Sequence, residues 1–497
     1  MSKLITINEF KKSIRDYSNF VVTGFRWSGT PQLLLKSIRD SFDSFGKPNN
    51  LTIIFTSSAT DPGIDHLAHP KLLSCSFGSY YGSIPKVREL VEQNQIRGYS
   101  LPQGQLSLLF REIARGSPGL ISKVGINTYV DPALNGGKLN SKTKKDVIER
   151  IKIKNEEYLF YKKINIDIAL IRGTISDKMG NISMKNEPVK TEFLSMAQAA
   201  RSCGGKIFIQ VLTESQDLLP PNEIDLPSHL VDGYVVADKV KRDHRHTNKY
   251  SFHEGLLNRG NYHDKISIDT DPVYKKIIAK KALDCVDPVS NIILGQGVPE
   301  LVGVLARKNS KTYKNLLTFM ESGVIGGIPE RRPDFGVAFN PSAFLTQDHQ
   351  FAGFNGGHID TAILSFVEFD QFGNINVSKL GADYYGCGGY IDICHAAKKI
   401  IFVGSFKAKG LIVKKSKDKI SIVNEGEIQK AVKNVKEITF SPINHNKRKD
   451  EIKIITERCI FMIDNGKVIL KNVFPGIDIK KDILDQMEFK PQIDLSN

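Results

Sequence analysis

Glu321 stands at the end of an apolar run (Leu316, Leu317, Phe319, Met320) and is followed closely by Gly323, Gly326 and Gly327. The run predicts a buried strand or the end of a buried helix, and the glycines leave room for backbone or a ligand to reach the carboxyl group. A nucleophile is presented in this way; the competing reading is a surface Glu capping a glycine-rich turn. A second cluster, Gly386-Cys387-Gly388-Gly389-Tyr390-Ile391-Asp392, precedes a helical stretch. Several free amides at such a turn form an oxyanion hole or a phosphate-binding nest, against the alternative of a purely structural tight turn. Two further apolar segments run into glycines and then a proline: Val21-Val22-Thr23-Gly24-Phe25 through Gly29-Thr30-Pro31, and Ile292-Ile293-Leu294-Gly295-Gln296-Gly297-Val298-Pro299. In a doubly wound sheet this puts free amides and a helix N-terminus at the carboxyl edge of the strands, where anionic ligand groups bind.

Other chemistry is weaker. The pairs His66/His69 and His244/His246 could bring two imidazoles together, but no third ligand group accompanies either. Both pairs lie in polar segments and read as solvated loop histidines, so no metal site is expected. There is no Gly-x-Ser-x-Gly elbow, and Cys387 has only its position to recommend it, which is no evidence of a lowered pKa. The side chains of Tyr390 and Asp392 read as scaffold.

The elements that must position these residues are short apolar runs alternating with amphipathic stretches. Residues 19–23, 51–56, 164–171, 206–212 and 233–237 read as strands, several of them apolar throughout. Such strands separated by helices indicate parallel sheets covered on both faces, and the fold class is α/β. Between 238 and 271 the pattern dissolves into polar, turn-rich sequence. We therefore divide the chain into a first half at 1–240, a crossover at 241–275 and a second half at 276–497. The stretch 401–474 is strand-rich, with Asp464-Asn465-Gly466 as a hairpin turn. A faint repeat relates the halves. At a fixed offset of 193 positions, Asp177-Lys-Met-Gly-Asn-Ile182 returns as Asp370-Gln-Phe-Gly-Asn-Ile375 and Lys206-Ile-Phe-Ile209 as Lys399-Ile-Ile-Phe402.

At 497 residues the chain has ample capacity to bury a core. Its net charge of +15 suits an anionic ligand, but the basic residues are dispersed without interleaved aromatics, which argues against nucleic acid. Six cysteines without a CxxC pair suggest a reducing, cytoplasmic setting. The N-terminal residues lack an apolar leader and no long uncharged apolar stretch occurs, so neither export nor a membrane span is expected.

At Glu321-Ser322-Gly323 with Gly326-Gly327, and at Gly386 to Asp392, the chain resembles the family I coenzyme A transferases, in particular the branch in which both subunit types are fused. The likeness covers nearly the whole chain in order: Tyr99-Ser-Leu-Pro-Gln103-Gly104, Gly119 to Gly125, Gly136-Gly-Lys-Leu-Asn140, Ala169 to Thr174, Gly295 to Glu300, Gly356-Gly-His-Ile-Asp360 and Pro475-Gly-Ile-Asp478. It departs at Thr23, where relatives carry Gly, at Trp27, at Ser365 and at Tyr390, positions that bear on loop shape and acyl fit.

The resemblance implies two related α/β halves with the site at their interface, and ping-pong transfer of CoA between a short-chain acyl-CoA and a carboxylate such as acetate, propionate or butyrate. Glu321 would be the nucleophile, forming an acyl-glutamyl anhydride and then a glutamyl-CoA thioester. The Gly389 and Tyr390 amides and the Gln103 side chain would stabilise the oxyanions. Gly295, Gly297, Gly356 and Gly357 would admit the pantetheine arm, with Gly386 and Gly388 also against CoA and Lys407 and Lys409 on its phosphates. CoA is then substrate and covalent intermediate with no permanent cofactor, and relatives imply a homo-oligomer. An acyl-CoA hydrolase on the same scaffold and a non-catalytic anion-binding module are the rivals.

Overall fold

The computed structural model describes residues 3–57, 59–60, 62–237, 239–260, 268–444 and 451–495. Two main sheets organise them. The first is wholly parallel, in the order Gly233–Val236, Lys206–Val211, Ile168–Arg172, Asn19–Val22, Leu51–Phe55, Leu73–Gly78, Arg97–Ser100. Every residue of Leu51–Phe55 and Ile168–Arg172 is buried, as a sheet with helices on both faces requires. The second sheet has ten strands, and its five from Leu317–Phe319 through Asn291–Leu294, Thr361–Ser365 and Lys399–Val403 to Glu451–Ile455 are parallel. An antiparallel extension follows, in which Cys459–Asp464 pairs with Lys467–Val473 across the expected turn, with Asn465 and Gly466 both at positive φ.

The repeat is structural. Strands Ile168–Arg172, Ile175–Asp177, Ile182–Ser183 and Lys206–Val211 recur as Thr361–Ser365, Glu368–Asp370, Ile375–Asn376 and Lys399–Val403, each starting at the same offset. The loop chemistry recurs with them. Asp177 Oδ1 accepts from the Met179 and Asn181 amides and its Oδ2 from Asn181 Nδ2; Asp370 does the same with Phe372 and Asn374. Gly180 and Gly373 close these loops at φ +83° and +77°. The strand expected from 164 begins at Ile168, just after Asp167, whose carboxylate accepts from the first amide of the neighbouring strand, Asn19 N–H, at 2.8 Å, as Asp360 does from Asn291 at 2.9 Å.

The halves share a core rather than merely abutting. Helix Gln103–Ala114 of the first half packs on Phe193–Ser202 and on Gln347–Asn355 of the second, with Leu106, Phe110, Phe193, Phe351 and Ile391 in one apolar cluster. Of the expected crossover, 261–267 lies outside the described residues, while Val240–Asp243 and Glu254–Leu256 are short helical turns.

His244 and His246 correct the expectation of solvated loop histidines, for both are 3 % exposed. His244 Nε2 lies 3.0 Å from Glu187 Oε1, and the buried Arg172 holds the other carboxylate oxygen. A hydrogen-bonded anion gives the imidazole a reason to be inside that spacing alone does not reveal. Among the described residues no helix is long and apolar enough to cross a membrane.

Candidate active site

Glu321 follows the strand Leu317–Phe319, which lies parallel to Asn291–Leu294 and delivers the residue to the carboxyl edge of the second sheet. The turn after it is fixed by the Met320 and Gly323 amides bonding Val324 and Met320 carbonyls, by Gln350 Nε2 donating to Met320 O at 2.7 Å, and by the buried Ser322 hydroxyl donating to Gly336 O. Gly323, Gly326 and Gly327 serve this turn rather than open a path to the carboxylate, since a Cβ on each would strike Leu345 O, Ser342 Oγ or Phe339 O. The glycine that admits the carboxylate is Gly389. A Cβ there would lie 2.5 Å from Glu321 Oε2, whereas its amide donates to that oxygen at 3.2 Å.

The Gly386–Gly389 turn leads into helix Tyr390–Ala396. Most of its amides are engaged: Gly386 N–H on Ser378 O, Gly388 N–H on Ser79 O, and Tyr390 N–H on Cys387 O at 2.9 Å. The Tyr390 amide expected as an oxyanion donor is therefore already bonded inside the turn. Gly389 N–H and the Gln103 side chain are the donors at hand. Gln103 is 1 % exposed, its backbone amide is anchored on Gly388 O at 3.0 Å, and its Nε2 has no partner among the described residues. A buried donor without an acceptor is costly unless a ligand supplies one. The join of the two halves is made rigid by Asp392, whose carboxylate accepts from the Gly104 amide at 2.9 Å and Gln105 Nε2 at 2.7 Å. Burial pushes the Asp392 carboxyl up to about 7 against the pull of these bonds. Its scaffold reading thus fits its placement.

These residues line a cleft between the halves of about 150 Å3, walled by Phe25, Tyr80, Leu294, Phe335, Leu364, Val377, Tyr390 and Ile393. Glu321, Gln103, Gly388, Gly389 and Gly295 meet there with Ser365 and Cys387. Gly297 and Gly386 stand just outside the wall, at the helix cap after Leu294 and beneath Tyr80. Gly356 and Gly357 close helix Gln347–Asn355 away from the cleft; Lys407 reaches Gln486 Oε1 at 3.3 Å, and Lys409 pairs with Glu427 at 2.6 Å. Arg26, Ser57, Ser83, Gln296 and Arg332 also line the cleft and were not singled out from sequence. Arg26 was the most readable of them, being a charge between two aromatics in an already noted glycine-rich loop.

Burial raises the Glu321 carboxyl to about 7, with the Gly389 amide and the Arg26 charge working the other way. Cys387, by contrast, is buried with its thiol pushed far up, so it carries no thiolate. The arrangement presents a poorly solvated, hence reactive, carboxylate beside two donors able to stabilise charge on a carbonyl oxygen. If the ionised Glu321 is the attacking group, kcat/KM for the electrophilic substrate should fall tenfold per pH unit below about 7 and level off above it. A pH–rate profile flat down to pH 5 would show that another group attacks.

The sequence pattern of the family described as Coenzyme A transferase matches residues 5–238. Over 99 % of its length the chain is 37 % identical to "Caffeate CoA-transferase" of Acetobacterium woodii, 95 % of which is covered. It is 36 % identical to "Acetate CoA-transferase YdiF" of Escherichia coli K12, covering 93 % of this chain and 87 % of that one. The crystal structure of the acyl-CoA transferase YdiF of Escherichia coli O157:H7 in a thioester complex with CoA matches with a TM-score of 0.91 at 32 % identity, covering 99 % of this chain and 94 % of that one. With full-length similarity of this order, the same architecture and a carboxylate in the cleft between the halves, the chain belongs to the coenzyme A transferase family.

Proposed function

We propose that the enzyme transfers CoA between a short-chain acyl-CoA and a free carboxylate by a ping-pong route through Glu321. The observation that carries this reading is the placement of that carboxylate, raised to about 7 and set against the Gly389 amide and the open Gln103 amide in an apolar cleft. Glu321 attacks the thioester carbonyl of the donor, and the C–S bond breaks to give a mixed anhydride and CoA thiolate. The thiolate attacks the γ-carbonyl carbon of Glu321, the anhydride C–O bond breaks, and the first carboxylate leaves a glutamyl-CoA thioester. A second carboxylate runs these steps in reverse. An anhydride is reactive enough for the thiolate to recapture, so the thioester energy passes to the product.

Apolar walls fit this chemistry because water reaching either intermediate would hydrolyse it. Gly389 N–H and Gln103 Nε2 are the donors for the developing oxyanions, each contributing a few kcal/mol on the barrier, of order 3 kcal/mol. Gly295 offers a side-chain-free stretch of wall for the thiol end of the pantetheine arm. Six cysteines, none in a disulfide, fit a reducing compartment such as the cytoplasm.

The test is the intact mass of the protein after incubation with acetyl-CoA. A CoA adduct should form on Glu321, and propionate should discharge it as propionyl-CoA. Free thiol without propionyl-CoA would identify a hydrolase, and an adduct on Cys387 would overturn the nucleophile assignment.

A further inference from the structure

Arg26 is a cation held in the same cleft as Glu321 by an unusual backbone. Its φ is +55°, a left-handed conformation that costs a non-glycine residue on the order of 1 kcal/mol and persists only where the surroundings enforce it. They do so here. The Arg26 carbonyl accepts from Thr30 Oγ1 at 2.6 Å and from the Thr60 amide at 3.1 Å, and Arg26 bridges to Ala59. The next two residues are tied down as well, since Arg172 Nη1 donates to Trp27 O and the Ser28 hydroxyl to His246 O.

The guanidinium so placed has weak compensation. Its side-chain bond is a 3.3 Å contact from Nη2 to Gln296 Oε1, an oxygen already engaged by Arg332 Nε at 2.9 Å, and its buried Nε has no partner among the described residues. Among the described residues no carboxylate lies within ion-pair distance of it. A partly buried cation in an apolar cleft calls for an anion. Beyond ion-pair distance Glu300 and, less strongly, Glu321 supply negative charge that reaches Arg26 in the free enzyme, and Arg26 in turn acts on Glu321. Once Glu321 is a thioester its share of that charge is gone.

We propose that Arg26 is the receptor for the acceptor carboxylate, binding it against the charged enzyme after Glu321 has become a glutamyl thioester. This rests on the transferase reading above and adds to it the group that recognises the second substrate. With one carboxylate oxygen on Arg26, the other faces the γ-carbonyl carbon of Glu321. Attack forms the C–O bond of the anhydride, the C–S bond breaks, and CoA leaves as thiolate with the donors at Gly389 and Gln103 taking the transient oxyanion. No proton is gained or lost. The thiolate then attacks the acyl carbon, and Glu321 departs as a carboxylate.

The test compares two nucleophiles on the full-length CoA-charged enzyme. Propionate needs a cation to receive it; hydroxylamine, neutral at about pH 7.5, attacks the same carbonyl and releases CoA without one. In Arg26→Gln, with Arg26→Lys as the conservative control, propionate discharge should need about 50-fold more propionate, while hydroxylamine discharge changes by less than about threefold. Arg26→Lys should recover part of the propionate loss. Equal losses with both nucleophiles, an unchanged propionate requirement, a raised KM for acyl-CoA alone, or failure of both variants to charge would each overturn the assignment. If the unaltered protein formed no adduct, the transferase reading itself would fail, and the two failures are thereby told apart.

Discussion

Glu321→Gln should abolish CoA transfer, by at least about 10000-fold, and at the same time make the protein more stable above pH 7. On the proposed route the first effect follows from removing the carboxylate oxygen whose attack opens the sequence, without which neither the anhydride nor the thioester forms, since a carboxamide is no nucleophile of that kind. The second follows from the raised carboxyl. A buried Glu at about 7, against roughly 4.3 in the unfolded chain, binds its proton more tightly when folded. Its contribution to stability is therefore fully present below about pH 4 and is lost as pH rises through 7. The neutral isostere avoids this, so urea denaturation at pH 8 should show Glu321→Gln more stable by roughly 2 kcal/mol, the gap closing towards pH 5. A variant that lost activity and stability together at pH 8 would show Glu321 to be part of the scaffold instead.

Glu187→Ala should cost about 3–5 kcal/mol of folding stability. Arg172 is fully buried and Glu187 2 % exposed, paired at 2.5 Å between Nη2 and Oε2, and Arg172 Nη1 also donates to Trp27 O at 3.2 Å and Arg245 O at 2.9 Å. Burial would raise the Glu187 carboxyl, yet Arg172 and His244 bring it down to about 2. His244 is held neutral by burial and the Arg172 charge, so its Nε2–H donates to Glu187 while Nδ1 faces Gln210 Nε2. Removing the carboxylate strands a buried guanidinium with only carbonyls around it. Because Arg172 steadies the loop carrying Arg26, the same variant should lose transfer activity before it unfolds. Thermal and urea unfolding midpoints within about 0.5 kcal/mol of the unaltered protein would show that water replaces the carboxylate there.

Several elements were legible because their causes are local. The mostly apolar runs at 51–56 and 206–212 became parallel strands in the interior of the first sheet. Asp464-Asn465-Gly466 turned because Asn and Gly accept positive φ. The Asp-x-x-Gly-Asn loops at 177 and 370 repeated because the Asp side chain, the following amides and the glycine make one self-contained unit.

What the sequence by itself determined is therefore the α/β class, the duplication, the presence of a carboxylate at the end of an apolar strand and the family. Tertiary structure decided how that carboxylate is addressed. The turn glycines beside Glu321 pack against Leu345 O, Ser342 Oγ and Phe339 O, and the glycine that touches the carboxylate, Gly389, lies 68 positions away. The Tyr390 amide is bonded within its own turn, His244 is buried because Glu187 is, and Arg26 lines the same cleft as Glu321 where Asp392 joins the halves. Burial, unpartnered donors and the field between distant charges are properties of packing, and no spacing of residues along a chain fixes which of them will meet.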